Sequence, residues 1–80
     1  MITIYTNPQC IQCDMTKKQF DKAGLEYKSV DLASVPELVE QFKADGYMAA
    51  PVVVTNIGTW SGFKPERISQ ITHPSYRNKL

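Results

Sequence analysis

Residues 2–13 read Ile2-Thr3-Ile4-Tyr5-Thr6-Asn7-Pro8-Gln9-Cys10-Ile11-Gln12-Cys13. The β-branched and aromatic run at its start predicts a strand over Ile2–Tyr5. Asn7-Pro8-Gln9 predicts a turn. The residues that follow predict a helix over Ile11–Ala23, with Pro8 near its start, where a missing N–H is harmless. Gly24 is placed to end that helix in a left-handed turn. Lys17, Lys18, Asp21 and Lys22 give it a solvated side, and Met15 and Phe20 are expected to point inward. The only two cysteines of the chain, Cys10 and Cys13, therefore fall at a strand-to-helix junction, nearly one helical turn apart.

Alternation resumes after Gly24 and predicts a second strand over Tyr27–Asp31. Strand, helix and strand in so short a span form a βαβ unit, which brings a parallel pair and a right-handed crossover. Ser34–Gly46 reads as the next helix. Ser34-Val35-Pro36-Glu37 has the form of a capping box, and Val35, Leu38, Val39 and Phe42 make one apolar stripe. Pro51-Val52-Val53-Val54-Thr55 has no polar face and is expected to be a strand buried on both sides. Asn56-Ile57-Gly58 is a turn signal from which Thr59-Trp60-Ser61 returns antiparallel. Ser61-Gly62-Phe63 is a bend, and Pro65 and Glu66 open a third helix with Ile68 and Ile71 on its apolar side. The order β-α-β-α-β-β-α predicts an α/β domain of the smallest thioredoxin/glutaredoxin-like kind: a four-stranded mixed sheet with three helices. The domain is expected to span residues 1–72, with 73–80 a loose tail.

Eighty residues suffice for one domain, which at this size buries only about 60–65% of its unfolded surface. A net charge of +1 gives no footing for nucleic acid. No apolar run approaches the ~20 residues needed to span a bilayer, and the first residues show no export signal. The expected compartment is cytoplasmic, where thiols are kept reduced and a disulfide is transient and catalytic.

Two cysteines in that setting point to a dithiol redox site. The thiolate is the attacking species, and the free N–H groups and dipole of a helix start favour it. Such placement lowers a cysteine pKa from ~8.5 into the range ~3.5–7.5. Cys10 is assigned as the nucleophile and Cys13 as the residue that resolves the mixed disulfide. Two other readings compete. One is a structural staple or a pair of inert thiols. The other is a cysteine-ligated metal or iron–sulfur module, which would need two chains to share Cys10 and Cys13, since His73 is the sole further soft ligand. Ala50-Pro51 precedes a strand, where cis bonds occur at a base rate of only ~5–6%. Trp60 and Phe63 flank the bend; as core residues they would be ordinary, and as exposed ones they would mark a docking patch.

Three segments resemble the NrdH-type redoxins. They are Ile2-Thr3-Ile4-Tyr5-Thr6 with Cys10-Ile11-Gln12-Cys13, then Ala50-Pro51-Val52-Val53, then Trp60-Ser61-Gly62-Phe63-Lys64-Pro65-Glu66. The last is the most specific. The resemblance implies a thiol–disulfide oxidoreductase that binds no cofactor. It takes electrons from NADPH through thioredoxin reductase and donates them to class Ib ribonucleotide reductase for deoxyribonucleotide synthesis. It further implies that Pro51 is a cis-proline beside the disulfide that helps align a bound peptide strand, and that Trp60, Ser61, Gly62 and Phe63 shape the surface next to the pair. A monomer is expected. The competing family reading is a glutathione-dependent glutaredoxin. Those proteins commonly carry Cys-Pro-Tyr-Cys and an Asp at the bend that holds glutathione's amino group. Ser61-Gly62-Phe63-Lys64 offers no such carboxylate, which removes a contact worth about 1.5–3 kcal/mol, or at least tenfold in binding.

Overall fold

The computed structural model describes residues 2–72. The 73–80 tail, with His73, lies outside them. Strand β1 (Thr3–Thr6) leads to helix α1 (Ile11–Lys22), strand β2 (Lys28–Asp31), a 3₁₀ turn (Leu32–Ser34) and helix α2 (Pro36–Ala44). Strands β3 (Val52–Thr55) and β4 (Gly58–Ser61) and helix α3 (Pro65–Thr72) complete the chain. The order is the one expected, and most boundaries differ by one or two residues.

The sheet runs β2-β1-β3-β4. β1 is parallel to β2, as the crossover through α1 requires, and antiparallel to β3. Thr55 pairs with Gly58, so Asn56-Ile57 is a two-residue hairpin turn. The Thr55 hydroxyl pins it, accepting from the Ile57 N–H at 3.2 Å and donating to the Gly58 carbonyl at 2.7 Å.

The strand period divides the two faces. Ile4, Val53 and Trp60 lie directly opposite one another across three strands, and all are buried. Against that row pack Phe20 of α1 and Ile68 and Ile71 of α3, with Leu25, Tyr27 and Phe63 at the margin. Burying one such side chain contributes about 1.5–3 kcal/mol. On the other face Tyr5 meets Phe42 of α2 edge to face, with ring centroids 5.1 Å apart, and Phe42 in turn meets Tyr47 at 6.4 Å. No residue of α2 is fully buried.

Two local expectations are corrected. Met15 is exposed rather than inward. The buried stripe of α1 is Cys13, Thr16 and Phe20, and Met15 sits about 200° round the helix from Cys13. The capping box at Ser34 does not form either. Ser34 belongs to the 3₁₀ turn, where its hydroxyl donates to the Asp31 carbonyl at 2.7 Å. α2 begins at Pro36, with Val35 as its first flanking residue and no side-chain cap.

Candidate active site

β1 ends at Thr6, and the chain turns through Asn7-Pro8-Gln9. Gln9 takes a positive φ of 56°, the left-handed backbone that a tight turn places directly after its proline. Cys10 is then the N-cap of α1, in extended backbone. Its carbonyl accepts the first helical bond from the Asp14 N–H at 3.2 Å. Its Sγ accepts from the Cys13 N–H at 3.1 Å. The sulfur thus occupies the position a serine or aspartate oxygen takes in an ordinary helix cap.

Cys10 and Cys13 are joined as a disulfide with Cα atoms 5.2 Å apart. Their surroundings differ. Cys10 is half-buried, whereas Cys13 is 1% exposed. One sulfur can be approached from outside, and the other is reached only through it. An N–H aimed at the Cys10 sulfur is the kind of donor that favours a thiolate there.

Two segments from the far end of the chain close on this turn. The Ala50–Pro51 bond is cis, and Pro51 is buried. Because Tyr5 pairs with Val52, Pro51 comes level with Thr6, where β1 gives way to the cysteine loop. The Pro51 carbonyl accepts from the Gly62 N–H at 2.8 Å. The next N–H along the bend, that of Phe63, donates to Oε1 of Gln12 at 2.9 Å. Gln12 stands between the two cysteines, so the redox turn, the cis-proline and the 61–63 bend form one hydrogen-bonded unit. Sequence reasoning sees Gln12 only as an uncharged spacer; nothing local marks a bond spanning 51 positions. Thr16 carries no sequence signal either. It is fully buried, and its hydroxyl donates to the Gln12 carbonyl at 2.9 Å.

Of the two aromatics expected at the bend, Phe63 is tied to the cysteine turn through Gln12, and Trp60 turns inward. Trp60 is 3% exposed and belongs to the core, so its ring does not line the surface near the pair. Arg67 lies over it, 5.4 Å from the centroid. Phe63 is half-buried and Gly62 is buried. The two most exposed large apolar side chains among the described residues are Ile11, next to Cys10 and 76% exposed, and Met48, two residues before Ala50 and 73% exposed. Met48 borders a groove of about 380 Å³ between α2 and the strand ends, with Asn7, Leu32, Phe42, Tyr47 and Ala50. Among the described residues no three His, Cys, Asp or Glu side chains converge on a common point.

A four-stranded mixed sheet with a cysteine pair on the cap of its first helix defines a redoxin: a small thiol–disulfide oxidoreductase of thioredoxin-like fold. The profile of the glutaredoxin family matches residues 2–57. The glutaredoxin-like protein NrdH of Escherichia coli (strain K12) is 38% identical over 74 residues, covering 92% of this chain and 90% of the relative. The NrdH of Lactococcus lactis subsp. cremoris is 31% identical over 71 residues, covering 89% and 99%. Among solved structures, the NrdH-redoxin from Escherichia coli, a glutaredoxin-like protein with a thioredoxin-like activity profile, superposes with a TM-score of 0.84 at 38% identity, covering 91% of this chain and 95% of that one. The chain belongs to the glutaredoxin family and, within it, to the NrdH redoxins.

Proposed function

We propose that this protein carries electrons from NADPH, by way of thioredoxin reductase, to the large subunit of class Ib ribonucleotide reductase in the cytoplasm, with no cofactor of its own. The observation that carries the thioredoxin-like reading is the 61–64 bend. It holds no carboxylate for glutathione's ammonium, and the N–H groups of Gly62 and Phe63 are already bonded to Pro51 and Gln12. The Escherichia coli redoxin, described as thioredoxin-like in activity, supports the same route.

The chemistry follows from the unequal exposure of the two sulfurs. In the reduced protein the Cys10 thiolate attacks one sulfur of the client's disulfide. A Cys10–client bond forms, the client's S–S bond breaks, and its second sulfur leaves as a thiolate that takes up a proton. Cys13, losing its proton, then attacks Cys10 Sγ. The Cys10–Cys13 bond forms and the client leaves as a dithiol, two electrons richer. Thioredoxin reductase reverses both steps. A client peptide lies beside the Ala50–Pro51 bond, and its apolar residues rest on Ile11 and Met48.

The test follows NADPH consumption with a disulfide substrate in two arms, one with thioredoxin reductase and one with glutathione and glutathione reductase. Turnover is expected in the first arm and little in the second. Cys10→Ser should abolish it. Cys13→Ser should accumulate a mixed disulfide with the ribonucleotide reductase subunit, visible on a non-reducing gel. Full activity in Cys10→Ser would overturn the assignment, and turnover only with glutathione would replace the thioredoxin reductase route.

A further inference from the structure

The Gln12 side chain is exposed to solvent, yet its amide oxygen is held on a single donor, the Phe63 N–H, at 2.9 Å. An exposed glutamine ordinarily keeps its rotamer freedom. Here it is spent on closing a main-chain donor that sits one glutamine side chain away from the cysteine pair. The neighbouring Gly62 N–H is closed from the other side by the Pro51 carbonyl. Of the two successive N–H groups of this bend, one is therefore satisfied by the fold and the other by a residue lodged between the cysteines.

We infer that Gln12 is a specificity-determining residue: by filling the Phe63 N–H it denies that donor to the carboxylate of a small anionic thiol such as glutathione, and so biases the pair toward protein disulfides. An open N–H at this place would lie one glutamine side chain from the residue between the cysteines. A carboxylate on that N–H would form a charge-assisted hydrogen bond, roughly twice as strong as a neutral one. With Gln12 in place the carboxylate must first displace an amide oxygen, and gains only the difference. A protein client, held along Pro51 and over Ile11 and Met48, does not depend on this one contact. The inference rests on the disulfide-exchange reading of the pair and not on the identity of the client.

The experiment compares two small substrates of the reduced protein. Glutathione disulfide carries carboxylates; bis(2-hydroxyethyl) disulfide carries none. In Gln12→Met, which keeps the length and removes the acceptor, the ratio of kcat/KM for glutathione disulfide to that for the hydroxyethyl compound should rise about tenfold, through KM rather than kcat. Gln12→Glu restores an acceptor at the same reach and should hold the ratio at or below the wild-type value. A ratio unchanged in Gln12→Met, or both rates moving in parallel, would reduce Gln12 to a structural brace and overturn the inference. A second measurement needs no variant. The Phe63 amide resonance of the wild-type protein should not move on titration with unreactive S-methylglutathione up to millimolar concentrations. Movement of that resonance in the wild type overturns the inference whatever the variants do. Loss of exchange with both substrates in the wild type would instead strike the assignment of Cys10.

Discussion

At the scale of single residues, the site depends on Gly62. Its φ is +80°, and a Cβ built on it would stand 3.3 Å from Gln12 Oε1. Gly24, at the end of α1, has a similar φ of +72° with nothing within 4 Å of its Cβ position. Each glycine replaced by alanine incurs the left-handed backbone cost of about 1–2 kcal/mol, offset by about 0.4–1 kcal/mol from a less mobile unfolded chain. Both variants should lower the unfolding free energy measured by urea titration by a comparable amount, about 1 kcal/mol. Gly62→Ala alone should also change the preference between glutathione disulfide and the hydroxyethyl compound, because only there does the new methyl press on Gln12. Equal selectivity in the two variants would mean that the bend tolerates the methyl without moving Gln12. Legibility in the sequence divides the same residues. Cys10 and Cys13 are legible because their chemistry and spacing are local. Gln12 is not, because its meaning lies in a main-chain N–H 51 positions away. Trp60 beside a flexible bend reads equally well as surface or core, and only the register opposite Val53 decides for the core.

At the scale of elements, α2 shows how two signals compete for one helix start. Ser34 and Glu37 have capping-box spacing, but Pro36 disfavours helical backbone at the residue before it. Val35 accordingly sits at φ −134° and ψ 60°, and Pro36 takes the first helical position. That consequence is readable in the sequence, since the restriction before proline is local. The cap that does form belongs to Asp31, whose carboxylate accepts from the Ala33 N–H at 2.9 Å and starts the 3₁₀ turn. Ser34→Ala should therefore change stability by less than about 0.5 kcal/mol, and Asp31→Ala should lower it by about 1 kcal/mol. Thermal melts of the two variants check the order. A larger loss at Ser34 would restore the capping-box reading. The strands are legible in kind from their β-branched and aromatic residues, and α1 from the turn before it and Gly24 after it, while strand ends shift by a residue or two because pairing rather than propensity sets where a strand stops.

At the scale of the whole molecule, the core is one-sided. Phe20, Ile4, Val53, Trp60, Ile68 and Ile71 form a continuous cluster between the sheet and the layer of α1 and α3. The opposite layer is α2, which buries no residue fully and meets β1 through the Tyr5–Phe42 contact. Most of the fully buried apolar side chains therefore lie on the side against which α1, and with it Cys13, packs. The groove of about 380 Å³ opens on the lighter side, between α2 and the residues leading to Pro51. This uneven burial predicts that α2 is held more weakly than α1 and the central strands. Native-state hydrogen exchange should resolve it. Amides of β1, β3 and the middle of α1 should exchange only through global unfolding, whereas those of α2 should open locally with a free energy lower by at least about 1.4 kcal/mol, a tenfold difference in exchange at equal intrinsic rates. Phe42→Ala should widen the gap by loosening α2 while leaving β1 and β3 protection close to the new global value. Equal protection of α2 and α1 in the unmodified protein would mean that the aromatic contact and the half-buried stripe of Val35, Leu38 and Val39 suffice to make the two layers one cooperative unit.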